Sequence, residues 1–255
     1  MRSLSRFLLS TLLATSALSL PAAAQSSFDD TQKSDIEAIV RAYLVEHPEV
    51  IVEAMTALRD KQDAEQKVAQ AGVIESAREA LTNAPEGMVL GNPDGDVTIT
   101  EFFDYNCGYC RQALADMTEL IEEDDEIRFV LKEFPILGPG SLEASRVAMA
   151  VRDLSPDDYQ AFHTTLLGKR GGADKASALA VAEDLGIDTA KIEEKLAVSA
   201  NMGALQEVQV LANDLQINGT PTYVIGNEVL QARIGVDGLR TIVASMRECG
   251  AVSCG

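Results

Sequence analysis

The chain has 255 residues, 46% of them hydrophobic, with 40 acidic against 21 basic residues and a formal charge of −19. That length holds one ordinary domain with an appendage, or two small domains. The acidic excess argues against nucleic acid and anionic membrane surfaces as partners, and the absence of Trp leaves a core of mainly Ala, Val, Leu and Ile.

Arg2 and Arg6 precede an apolar run, Phe7 to Leu20, that is short for a membrane span; Pro21-Ala22-Ala23-Ala24 comes next with the small side chains a signal peptidase requires. Residues 1–24 are therefore expected to be a signal peptide cut near Ala24. The remaining chain then carries 19 basic and 40 acidic residues, a net charge of −21. Export places the protein in an oxidising compartment, and all four cysteines lie beyond the cut.

Residues 25–84 form the next expected segment, helical over most of its length. Ile36, Ile39, Val40, Tyr43 and Leu44 share one helical stripe, Pro48 ends or kinks that helix, and Val50, Ile51, Ala54, Met55 and Leu58 make a second stripe. Asp60 to Gln70 is almost wholly polar and suits either a solvated helix or a connector. A segment this short cannot form a core alone, so its stripes need a partner. Because the polar stretch separates them from the C-terminal part of the chain, self-association is expected.

A domain over 85–255 is predicted behind the turn-rich stretch Asn83 to Asp96. Val97 to Phe103 reads as a strand, Arg111 to Glu122 as a helix and Ile127 to Leu131 as a second strand. Residues 141–215 read as about five helices, with Ser155 as an N-cap before Pro156. Thr222 to Ile225 and Val229 to Arg233 form a hairpin through Gly226-Asn227-Glu228, and Asp237 to Glu248 is the closing helix.

Cys107 falls in the turn between the first strand and the first helix of this domain, with Cys110 one turn inward. Free amide protons and the helix dipole stabilise a thiolate there, lowering a pKa of about 8.5 to roughly 3.5–7. Such a thiolate leaves and attacks readily, so Cys107 is the expected nucleophile and Cys110 the resolving thiol. A shared zinc site with Cys249 and Cys254 is disfavoured, because that pair lies at the far end of the chain with a different spacing and flanks Gly250. Pro221, at the start of a strand, can hold a cis bond that presents the backbone of Thr220 to a peptide.

The run Glu101-Phe102-Phe103-Asp104-Tyr105-Asn106-Cys107-Gly108-Tyr109-Cys110, with Lys132 to Leu137 and Gly219-Thr220-Pro221-Thr222, resembles the DsbA-like thioredoxin family from about residue 85 to 248. The resemblance implies an α/β thioredoxin-like fold with a helical insertion at about 141–215. Ile36 to Leu58 resembles the N-terminal α-helical oligomerisation segment of the ScsC-like, copper-sensitivity-suppressor branch, which includes trimeric disulfide isomerases. The family implies two further roles. Glu101 matches the buried acid beneath the active site, and Lys132 its usual partner in proton transfer. Gly108-Tyr109 stands where strong oxidases carry Pro-His and, like Thr220 before Pro221, fits the isomerase pattern; these four residues are the expected substrate-binding positions.

The expectation is thus a periplasmic thiol–disulfide oxidoreductase, working as a dimeric or trimeric isomerase or reductase on unfolded or misbridged secreted proteins. A membrane redox partner would reset it, and neither a cofactor nor a metal is called for. A disulfide-donating oxidase is the alternative, and a copper(I)-binding thiol protein a third reading. Cys249 and Cys254 are expected to form a structural bridge if the last helix ends at Cys249, with a second redox relay as the other possibility. His47 and His163 are expected at the surface or in caps.

Overall fold

A computed structural model describes residues 28–85, 87–198 and 202–254. The expected signal peptide lies outside these residues. The chain divides into two compact units, one to Arg59 and one from Asp60 onward.

In the first unit α1 spans Asp30–Glu46. Asp29 caps it reciprocally: its carboxylate accepts from Gln32 N–H at 2.8 Å, and Gln32 Oε1 accepts from Asp29 N–H at 3.0 Å. His47 closes the helix through its own N–H to the Tyr43 carbonyl, just before Pro48 interrupts the run. The helix α2, Glu49–Ser76, begins directly afterwards. No α1 residue is buried, and Ile39, Val40, Tyr43, Val52, Met55 and Leu58 stay exposed, so both stripes are uncovered within a single copy of the chain. The polar stretch from Asp60 to Gln70 is helical.

The second unit is built on a five-stranded sheet in the order β1-β3-β2-β4-β5: Val89–Gly91, Ile127–Glu133, Val97–Phe103, Thr222–Ile225 and Glu228–Gln231. Only β2 and β3 run parallel, with Phe102 level with Lys132 and Glu101 level with Leu131. The strand β1 sits inside the stretch read as a turn-rich boundary; three residues are too few to show a period of two. On one face of the sheet lie Ile99, Phe103, Phe129 and Leu131, packed with α4 (Gly108–Glu123), α5 (Pro139–Leu154) and α10 (Val236–Cys249). On the other, Phe102, Phe134 and Val224 pack with Ile74, Leu81, Leu211 and Leu215.

That second cluster explains why the unit begins at Asp60 and not at residue 85. Ile74 on the last turns of α2 and Leu81 on α3 (Arg78–Thr82) are core residues of the sheet's second face. The polar run ahead of them hides this in the sequence.

The insertion comprises α5, α6 (Pro156–Gly168), α7 (Lys175–Asp184), α8 (Thr189–Ala197) and α9 (Met202–Asp214). Pro156 opens α6, but the Ser155 side chain makes no cap bond. His163 is not a surface or capping residue. It is 1% exposed, on the α6 stripe with Tyr159, Phe162 and Leu166, and stands edge-on to Phe103 at 4.6 Å. Burial drives its pKa down to about 3, so the ring is neutral.

Candidate active site

The strand β2 ends at Phe103, and Asp104-Tyr105-Asn106 turn the chain into α4. Cys107 is the N-cap of that helix, in extended conformation, and Gly108 and Tyr109 form the first turn. Asp104 organises the turn while fully buried. Its carboxylate accepts from Asn106 N–H at 2.7 Å and from Ile136 and Leu137 N–H at 2.8 and 2.9 Å, and its carbonyl accepts from Cys107 N–H.

The Cys107 sulfur accepts from Cys110 N–H at 3.2 Å and lies 3.1 Å from the Thr220 carbonyl, on the loop before β4. Both thiols are free. The Thr220–Pro221 peptide is cis, and Thr220 Oγ1 has no partner among the described residues. Hydrogen bonding from the Cys110 thiol does most to hold the Cys107 pKa down at about 6; partial burial opposes it, and the Cys110 and Tyr109 backbone N–H groups assist. The same bond, together with burial, pushes the Cys110 thiol far up. The two sulfurs thus divide their roles: one is a thiolate at neutral pH, and the other keeps its proton until something takes it.

Glu101 lies beneath them, 3% exposed. Its pKa rises to about 8, chiefly through burial and then through the negative charges of Cys107 and Asp116. A carboxyl so placed exchanges a proton near neutral pH. Tyr223, on β4 in register with Glu101, and Asp116 complete this buried polar floor, and the exposed Arg233 pairs with Asp116 through two bonds of 2.6 Å. Sequence reading missed all three residues. Asp116 and Arg233 are 117 positions apart and no local pattern couples them.

Lys132 is not part of that floor. Level with Phe102, it projects from the opposite face of the sheet, where its ammonium donates to the Asn83 carbonyl at 2.9 Å. Burial, then the Arg128 charge, lowers its pKa to about 8. The structure therefore separates the expected acid–base pair. The neighbouring acid, Glu133, points the other way. It accepts from the Tyr159 hydroxyl at 2.7 Å and from Tyr105 at 3.3 Å, and burial raises its pKa to about 8.

Cys249 and Cys254 are joined by a disulfide with their Cα atoms 6.0 Å apart, at the end of α10.

Comparison with known proteins agrees with this geometry. The family described as DSBA-like thioredoxin domain matches residues 98–246, and that of the copper resistance protein ScsC N-terminal domain matches residues 32–65. Among solved structures, a thioredoxin-like oxidoreductase from Silicibacter pomeroyi is 38% identical, covers 68% of this chain and 98% of its own, and superposes with a TM-score of 0.63. Proteus mirabilis ScsC in a transitional conformation is 30% identical over 86% of this chain and 96% of its own, with a TM-score of 0.62. Among curated relatives, the Na(+)/H(+) antiporter NhaA 1 of Salinispora arenicola is 28% identical over 62% of this chain, which spans only 24% of that protein's length.

Proposed function

Because this chain belongs to the family of DSBA-like thioredoxin domains, we propose that it is a thiol–disulfide oxidoreductase with Cys107 as nucleophile and Cys110 as resolving thiol. The observation that carries this reading is the Cys107 sulfur at the start of α4, bonded by Cys110 N–H and facing the Thr220 carbonyl, with its pKa near 6. The Cys107 thiolate attacks one sulfur of a client disulfide. A Cys107–client S–S bond forms, the client S–S bond breaks, and the other client sulfur leaves as a thiolate. A second client thiolate can then attack the mixed disulfide, which returns Cys107 and leaves a rearranged client disulfide with no net electron transfer. Alternatively, Cys110 passes its proton to Glu101 and attacks Cys107, closing the Cys107–Cys110 disulfide and releasing a reduced client.

The preferred direction is isomerisation or reduction of unfolded or misbridged secreted proteins in the periplasm, by an oligomer held through α1 and the first turns of α2. Three features support it. The dipeptide Gly108-Tyr109 supplies no imidazole to the thiolate, the apolar stripes of residues 36–58 are uncovered, and residues 32–65 match the ScsC N-terminal family. Export rests on the pattern of residues 1–24, and a membrane thiol-exchange partner would restore the working redox state. The test is reshuffling of scrambled ribonuclease by the mature chain, compared with a version lacking residues 25–59 and with Cys107→Ser. Loss of reshuffling in both, with simple dithiol turnover kept only in the truncation, is expected. Unchanged reshuffling after truncation would sink the oligomeric reading. A potential near −120 mV would instead support the oxidase reading, which the low pKa of Cys107 favours.

A further inference from the structure

The residue immediately before Cys107 uses its whole side-chain amide on the helical insertion. Asn106 Nδ2 donates to Ser141 Oγ and to the Ala173 carbonyl, both at 2.9 Å, and Oδ1 accepts from Ala173 N–H at 2.6 Å. The amide thus pairs with both backbone groups of Ala173 as a strand neighbour would, and with a buried hydroxyl on α5. Neither Asp, which cannot donate, nor Ala can reproduce that pattern. A second tie lies one turn along α4, where Arg111 Nε donates to the Leu167 carbonyl at 3.0 Å. Asp104, three residues before Cys107, holds the Ile136–Leu137 loop through two backbone N–H groups.

Cys107 itself is only 5% exposed and its sulfur faces the Thr220 carbonyl, so a client reaches it past the Thr220 loop and the segments held by its neighbours Asp104 and Asn106. One loop presents Leu137, 53% exposed, and the first turn of α4 presents Tyr109, 64% exposed. We propose that Asn106 is a positioning residue that locks the 169–173 loop of the insertion beside Cys107, and thereby shapes the cleft through which a polypeptide disulfide reaches the thiol. The chemistry at sulfur does not need Asn106. A small disulfide approaches without resting on the loop, whereas a polypeptide chain rests on both walls. This inference rests on the proposed exchange with protein clients.

The experiment compares Asn106→Ala and Ser141→Ala with the unaltered full chain. Turnover of a scrambled protein client and of a small aromatic disulfide is measured beside hydrogen exchange of the Ala173 amide. In Asn106→Ala, KM for the protein client is expected to rise about tenfold, the size of a hydrogen-bond pair lost, with small-disulfide turnover within about twofold. The Ala173 amide is expected to exchange faster, and trypsin to cut sooner at the exposed Lys169 and Arg170. Ser141→Ala removes one acceptor only and is expected to show the same split at smaller amplitude. Equal losses on both substrates, or no change in KM for the protein client, would overturn the proposal. So would an Ala173 amide that exchanges no faster in Asn106→Ala. If the unaltered chain exchanges no disulfides in proteins at all, the functional reading fails, while Ala173 exchange still reports the clamp.

Discussion

In the proposed exchange, the asymmetry between two sulfurs one helical turn apart carries the chemistry. Cys107 receives hydrogen bonds and Cys110 gives one, so one pKa falls to about 6 while the other rises. Alkylation of Cys107 is therefore expected to reach half its maximal rate near pH 6, which a pH series with mass detection checks. The linkage has a definite sign. A thiol that ionises more readily in the folded than in the unfolded chain adds stability that is fully present above pH 9 and lost as pH falls to about 6. Reduced protein should lose stability relative to the Cys107–Cys110 disulfide form over that window, and denaturant titrations of both forms measure it. The role proposed for Glu101 concerns the other sulfur. Glu101→Gln removes the proton acceptor while keeping shape, so release from a mixed disulfide at pH 7 is expected to slow by on the order of 10²-fold, with the first attack by Cys107 spared. Stopped-flow separation of the two steps tests this, and equal slowing of both would remove Glu101 from its role. The opposed faces of Glu101 and Lys132 mean that Lys132→Met should leave the release step unaffected.

The helix α2 carries two unrelated patterns. Its first turns continue the exposed apolar stripe of Ile51 and Met55, while near its end Ile74 enters the core beside Phe102. A fully buried Ile cut to Ala costs about 2–5 kcal/mol, so Ile74→Ala should lower the stability of the second unit by that amount. Ile39→Asp, on the uncovered stripe of α1, should leave that stability unchanged and, if the proposed oligomer forms through this stripe, abolish self-association. Calorimetry and light scattering on the two variants separate the contributions. The elements legible in the sequence were those with a sustained period: β2, α4, β3, the β4–β5 hairpin and α10. The three-residue β1 and the core role of α3 were not, since neither is long enough to display a period.

For the chain as a whole, the division at Arg59 and Asp60 gives a prediction about truncation. Removing residues 25–59 leaves the core of the second unit complete. Removing residues 25–84 also takes Ile74 and Leu81 from against Phe102, Phe134 and Val224. The shorter deletion is expected to fold with native near-ultraviolet circular dichroism, and the longer to lose several kcal/mol or fail to fold. Equal stability of the two would contradict the assignment of α3 to the core.

The sequence by itself determined what depends on neighbours along the chain: the thiol pair at a helix start, the proline after Thr220, the apolar stripes around Pro48 and the periods of the main elements. These are local because helix dipoles, caps and side-chain periods act within a few residues. Tertiary structure alone decided what depends on register and return of the chain. It placed Glu101 under the sulfurs but Lys132 on the other face, because Lys132 is level with Phe102 across parallel strands. It buried His163 within the α6 stripe and brought Arg233 to Asp116. The same return of the chain laid the Ala173 backbone against Asn106, 67 residues before it, where an amide could pair with both its groups.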